Sequence, residues 1–210
     1  MAFTIAEFIE VRPVVYHLTA RLNLPRIRRS RTLHSTAQTL TSIDRVDLLS
    51  MRRRRSMEFC VDDEWIQIRD QAPLHAGNIG FELGWCLEDF IEELNGRVFF
   101  WPGTHSGPIA YGMRHFDRYQ HEEPVVLRVP LDLLLEENAG VDPGFCKFNS
   151  GSPRCSSGRR SPRGSRTFVT SSDAPFSRTQ VVEVTFRDSV ILPECVEFAG
   201  SYAGPWQRLF

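Results

Sequence analysis

Lysine is almost missing from this chain: Lys147 stands alone beside 24 arginines in 210 residues. That imbalance reads as much as the mark of a GC-rich coding genome as of function. Long apolar runs are missing too. Nowhere do 18 apolar residues follow one another, which argues against a membrane-spanning helix. Glu7 and Glu10 interrupt the segment where a secretory leader needs unbroken apolar residues. The five cysteines, Cys60, Cys86, Cys146, Cys155 and Cys195, are odd in number and contain no C-x-x-C pair, so neither a disulfide framework nor a zinc ribbon is expected. His115 and His121 lack the spacing of metal ligands, and no metal is expected. Two glycine signatures are absent as well, G-x-x-x-x-G-K and G-x-G-x-x-G, which argues against a phosphate loop or a dinucleotide in a Rossmann crevice. The expectation is a soluble cytoplasmic protein with reduced thiols. A net charge of −1 leaves no global basic excess for wrapping a polyanion.

What is present fills one core. The apolar fraction is 41%, enough for a single domain spanning residues 1–210 and too much for a disordered or fibrous chain. Charge is segregated along the chain. Residues 1–58 and 146–180 each carry six more basic than acidic groups, while the intervening segments are acidic. Brought to one face, the two basic blocks would make a local field for phosphates; pointing apart, they are solvated surface.

Val14-Val15-Tyr16 reads as a strand continued by His17-Leu18-Thr19, with Asn23 as cap and Pro25 at an early position of a helix over Leu24–Arg29. Thr41 and Ser42 suggest a second helix through Val46, Leu48 and Leu49, ending in Arg52–Arg55, where cations complement the helix dipole. Trp65–Ile68 alternates like a strand, and the stretch after Pro73 reads as a poorly regular helix broken by Gly77, Gly80 and Gly84. Leu87, Phe90, Ile91 and Leu94 share one helical face before Asn95-Gly96. Further strands are expected at Val98–Trp101, stopped by Pro102-Gly103, at Val125–Val129 before a helix over Leu131–Glu136, and at Val181–Phe186. Residues 149–172, rich in Ser, Gly, Pro and Arg, read by composition as a loop or linker, and by their place between strands as a lid or binding loop. The fold class is α+β.

Two residues of chemical interest emerge. On strand alternation Glu183 shares a face with Val181 and Thr185, which fits a solvated edge or a carboxylate facing a cleft. His17, ending the first strand, reads alone as a satisfied core histidine.

Val15-Tyr16-His17-Leu18-Thr19 with Asn23-Leu24-Pro25 and Ile27, the aromatic strand Val98–Pro102, and Gln180–Val184 resemble, in that order, three blocks of the DarT-like proteins of the ADP-ribosyltransferase fold. A closer resemblance, over most of residues 14–195, is to an uncharacterised bacterial family known only as a domain of unknown function. Its hallmarks are Ile68-Arg69-Asp70-Gln71, Leu94-Asn95 with Arg97–Trp101, Asn149-Ser150-Gly151, and Pro162-Arg163-Gly164 before Thr167-Phe168.

The transferase likeness implies a split β-sheet core with flanking helices, and NAD as substrate. It implies that His17 and Thr19 orient NAD, that Glu183 steadies the sugar as nicotinamide leaves, and that Phe100, Trp101 or Tyr111 forms an aromatic wall. Arg69 and Arg154 are candidates for the pyrophosphate, because guanidinium forks match phosphate oxygens. The implied activity is NAD-dependent ADP-ribosylation of a nucleic acid or protein acceptor, as by a bacterial toxin or defence effector. The alternatives are an NAD glycohydrolase, an RNA 2′-phosphotransferase-like enzyme, and a non-catalytic nucleotide- or protein-binding module. The arginine that meets the acceptor falls among Arg52–Arg55 and Arg69.

Overall fold

The computed structural model describes residues 2–61 and 63–210. Its strands in chain order are β1 (Val14–Ala20), β2 (Thr32–His34), β3 (Met57–Val61), β4 (Glu64–Ile68), β5 (Ile79–Phe81), β6 (Arg97–Thr104), β7 (Gly107–Pro108), β8 (Pro124–Pro130), β9 (Gly144–Cys146), β10 (Ser161–Arg163), β11 (Glu183–Arg187), β12 (Ser189–Ile191), β13 (Glu197–Ala199) and β14 (Gln207–Arg208). Its helices are α1 (Ile5–Val11), α2 (Leu24–Ser30), α3 (Thr36–Ser42), α4 (Leu87–Asn95), α5 (Ala110–Arg118) and α6 (Leu131–Glu137). This is a single α+β domain. Among the described residues no helix is long and apolar enough to cross a membrane.

One antiparallel sheet runs in the order β14-β13-β8-β1-β6-β11-β9, with β7 folded back on β6. Period-two alternation sorts its side chains. Val15, Phe100, Leu127, Val184 and Phe186 pack on one side with Phe8 of α1 and Leu131 and Leu134 of α6. On the other side α4 supplies Phe90, Ile91 and Leu94 to a cluster with Cys146 and Phe168. There too Phe116 of α5 joins Tyr16, Trp101 and Val126.

Strand β6 is divided between its neighbours. Arg97–Phe100 pairs with β11, whereas Trp101–Gly103 pairs with β1. β1 meanwhile stays with β8 over its whole length, from Val14 opposite Pro130 to Ala20 opposite Pro124. Beyond Tyr16, therefore, β1 and β6 part. The backbone groups so released need other partners, and one of them, the Phe99 carbonyl, meets Nδ1 of His17 at 2.9 Å.

Several local expectations are corrected. Asn23 precedes α2, but its side chain makes no cap; it bonds Thr19 Oγ1 and both backbone groups of Gln67 instead. The second helix lies earlier, at α3, capped by Ser35. Val46–Leu48 is a single 3-10 turn, so Arg52–Arg55 do not end a helix. Arg52 and Arg53 instead donate to the carbonyls of residues 69, 71 and 72, giving buried backbone the partners that no ladder supplies. After Pro73 the chain forms a 3-10 turn over Ala76–Asn78 and then β5, not a helix. β6 runs through Pro102 to Thr104. The Pro102 carbonyl accepts from Ile109 N–H, so the proline nitrogen lies on the edge away from β1, where no ladder bond is lost. Residues 149–172 are a largely irregular segment exposed over 154–160, but Ser150, Arg163, Gly164, Thr167 and Phe168 are buried, and β10 pairs in parallel with β5.

Candidate functional site

A cavity of about 300 Å³ opens where β1 and β6 part, at the lower end of the range for small-molecule sites. Five of the residues singled out in the sequence line it: His17, Thr19, Arg69, Trp101 and Glu183. The sheet fork brings the first two and the last two together, and the β3–β4 hairpin delivers Arg69.

The His17 bond fixes the imidazole. A carbonyl oxygen only accepts, so Nδ1 carries the proton and Nε2 is left as an acceptor. Withdrawal from water is the main cause that lowers the His17 pKa to about 4, with Arg69 adding to it and the Phe99 bond opposing. The ring is neutral at any physiological pH.

Arg69 follows directly on β4 and donates through Nη2 to the Thr19 carbonyl at 2.8 Å. Its guanidinium carbon stands 4.7 Å from the Tyr119 ring centre. Its pKa is lowered, chiefly by burial. Glu183 begins β11 opposite Cys146 and is 3% exposed. Oε1 accepts from the Ser150 N–H at 3.0 Å. Burial raises its pKa to about 7, against the Ser150 bond and the nearby Arg163 charge.

Among the described residues, five buried side-chain nitrogens or oxygens have no hydrogen-bond partner, and three belong to this cavity's wall: Arg26 Nη1, Arg69 Nη1 and Glu183 Oε2. Each such atom costs roughly 1–3 kcal/mol. A ligand that offers an anion to the two guanidinium groups and a donor or a positive centre to the carboxylate relieves all three.

Three sequence candidates lie elsewhere. Phe100 points to the opposite side of β6, into the core, where its ring backs His17 at 5.5 Å and meets Phe186 edge-on. Alternation puts Phe99 and Trp101 on the cavity wall in its place. Tyr111 is exposed on α5 under Arg114, and the aromatic that reaches the cavity from that direction is Tyr119. Arg154 is exposed on the loop outside the wall, and Arg26 of α2 lines the cavity in its stead.

Sequence reasoning also passed over His115. It lines the cavity 5.2 Å from the Trp101 ring and 5.1 Å from Tyr119. Burial first, then Arg69, Arg118 and His17, push its pKa down to about 3. Helix α5 lies this close because of Gly112, where a Cβ would stand 2.8 Å from Pro108 Cβ and 2.9 Å from Trp101 Cβ. The signal available in the sequence was the i, i+4 spacing of His115 and Tyr119.

The floor is a polar network drawn from separate motifs. Asn95, at the end of α4, accepts from Arg53 Nη1 at 3.0 Å and Gln71 Nε2 at 3.1 Å, and donates to the Leu49 carbonyl at 2.7 Å. Arg53 Nε donates to the Arg69 carbonyl. Burial lowers the Arg53 pKa to about 10.

The model of a family of unknown function, DUF7002, matches residues 13–195. The chain belongs to that family. The match to DUF7002 contains every residue of the cavity wall, from His17 to Glu183. No curated protein and no solved structure matches the chain.

Proposed function

We propose that this DUF7002 protein is an NAD-dependent ADP-ribosyltransferase on a DarT-like split-sheet fold, transferring ADP-ribose to a nucleic acid or protein acceptor as a bacterial toxin or defence effector. One observation carries the reading. His17 and Glu183, from opposite ends of the chain, line one cavity together with two unpartnered guanidinium nitrogens and an unpartnered carboxylate oxygen.

The residues present fit the dinucleotide. His17 Nε2 accepts a ribose hydroxyl, a role that needs the neutral ring its burial enforces. Arg69 and Arg26 turn their orphaned N–H groups to phosphate oxygens, where guanidinium bonds are charge-assisted. Phe99 and Trp101 give the aromatic wall against which nicotinamide packs. The cavity houses the nicotinamide riboside half, and the adenosine half extends past its mouth.

NAD supplies the labile bond: the ribose C1′–nitrogen bond breaks and its electron pair leaves with neutral nicotinamide. Glu183 Oε2 faces the positive charge that develops on the ribose ring. A fixed carboxylate in a water-poor cleft stabilises such a centre better than bulk solvent does. The acceptor then bonds to C1′ and gives up one proton. Glu183 must be ionised for this work, and a cationic nicotinamide ring beside it opposes the desolvation that raises its pKa.

Incubation with NAD radiolabelled in its adenylate phosphate, against separate pools of DNA, RNA and lysate protein, tests cofactor and acceptor together. Label entering one pool is the expected result. Nicotinamide release with no pool labelled selects the glycohydrolase. Phosphate removal from 2′-phosphorylated tRNA selects the phosphotransferase-like enzyme. Nucleotide binding without turnover, unaffected by Glu183→Gln, selects the binding module.

A further inference from the structure

The segment whose composition reads as a linker holds an arginine that is 3% exposed, Arg163. Its guanidinium lies 4.8 Å from the Phe148 ring centre and donates in three directions. Nη2 reaches the Asn149 carbonyl at 3.1 Å, Nε the Ser150 carbonyl at 3.3 Å, and Nη1 both Ser161 Oγ and the Pro162 carbonyl at 2.8 Å. The planar fork thus holds two consecutive carbonyls, which a lysine ammonium cannot do with the same geometry.

The consequence runs through one peptide plane. The Asn149 carbonyl and the Ser150 N–H belong to the same trans peptide and point in opposite directions. Anchoring the oxygen on Arg163 aims the N–H the other way, and there it meets Glu183 Oε1 at 3.0 Å. Arg163 is itself braced from behind. β10 pairs with β5, Glu82 accepts from the Ser165 N–H at 2.7 Å, and Gly164 N–H donates to Thr167 Oγ1 at 2.9 Å. A Cβ on Gly164 would collide with the Glu82 side chain, so only glycine closes this turn against Glu82.

We infer that Arg163 is a positioning residue for Glu183: through the Asn149–Ser150 peptide it engages one carboxylate oxygen and leaves Oε2 for the ligand. This rests on Glu183 being the working carboxylate of the proposed transferase. It also gives two separated motifs, Asn149-Ser150-Gly151 and Pro162-Arg163-Gly164, a single physical purpose. The charged and titratable groups facing Glu183 are Arg163 and Cys146, whose thiol is pushed up by burial and by Glu183 itself.

The test is a pH titration by NMR of the Glu183 side-chain carboxyl and the Ser150 amide, in the wild type, Arg163→Lys and Arg163→Gln, alongside kcat and KM for NAD. In the wild type the Ser150 amide shift should follow the Glu183 transition. In Arg163→Gln, which removes both charge and fork, the Glu183 midpoint should rise by about one pH unit or more, and the Ser150 amide should cease to follow it. Arg163→Lys keeps the charge, so its midpoint should return towards wild type while the amide stays uncoupled. In both variants kcat should fall roughly 10- to 100-fold with KM little changed, the scale of a misplaced catalytic group. A wild-type Ser150 amide indifferent to Glu183, or a Ser150 amide that still follows Glu183 in Arg163→Lys, overturns the inference. If Arg163→Gln does not fold, the wild type and Arg163→Lys decide alone. Should the titrations behave as expected while no NAD is consumed, the positioning stands and the transferase reading falls. Should kcat fall with coupling intact, the reverse holds.

Discussion

His17 Nδ1 lies 2.9 Å from the Phe99 carbonyl oxygen, across the gap where β1 leaves β6. The bond closes part of the fork and, in the same act, presents a lone pair at Nε2 to the cavity. His17→Ala should therefore weaken NAD binding, by roughly 10-fold or more for a lost hydrogen bond and an orphaned carbonyl, with a smaller effect on turnover of bound NAD. Calorimetric titration of NAD into both proteins checks this.

Stability should depend on pH with a recognisable sign. His17 and His115 titrate near pH 4 and 3 in the folded protein, against an ordinary value near 6.5. The unfolded chain therefore binds nearly two more protons around pH 5, falling to about one at pH 6.5, and stability grows as pH rises through that window. Glu183 opposes this. Its folded pKa of about 7 means that the folded form binds the extra proton over the same range. Around pH 5 the three groups together leave a net slope of about 1.4 kcal/mol per pH unit. Glu183→Gln should steepen the slope to about twice that value, and His115→Phe should flatten it. Urea unfolding at several pH values reads all three.

The rate should also follow pH. Only the Glu183 carboxylate stabilises positive charge, so kcat/KM for NAD should climb as pH rises through about 7, where Glu183 ionises in the free protein. His17, neutral throughout, should leave no inflection above pH 5. A pH profile of nicotinamide release tests this, and Glu183→Gln should be flat over the same range.

Arg26 and Arg69 are expected to seat the phosphates. Arg69→Gln should weaken ADP-ribose binding roughly 10- to 100-fold, the worth of one charge-assisted hydrogen bond to a desolvated partner. Arg26→Gln should act in the same direction. Nicotinamide riboside, which has no phosphate, should bind all three proteins alike. Calorimetry with the two ligands separates the effects.

Much of this site was legible because its residues sit in strands with a strict period. Val14–Thr19, Val98–Trp101 and Val181–Phe186 read as strands, and the resemblance of these blocks to the DarT-like proteins made His17, Trp101 and Glu183 candidates. The choice between Phe99 and Phe100 was not legible, because both faces of β6 are covered and an unbroken apolar run has no visible inside. Tyr111 and Tyr119 lie on adjoining stretches around α5, and only the direction of Gly112 towards Trp101 tells which tyrosine reaches the cavity. Residues 149–172 form the irregular loop that their composition suggests, but composition does not show that part of it is buried. Their order comes from Arg163, a side chain that links the backbone at 149–150 to the turn at 161–163 and has no period for a sequence to display. The Arg52–Arg55 run did mislead. Its fork-to-carbonyl bonds are long-range, while the helix-end reading used only neighbours.

Nicotinamide release from NAD, compared between the wild type and Glu183→Gln at saturating NAD, tests the central claim most directly. The account predicts release at least ~100-fold slower in the variant, the scale of losing one electrostatic stabiliser, with a far smaller loss of NAD affinity. Equal release from the two proteins would contradict it.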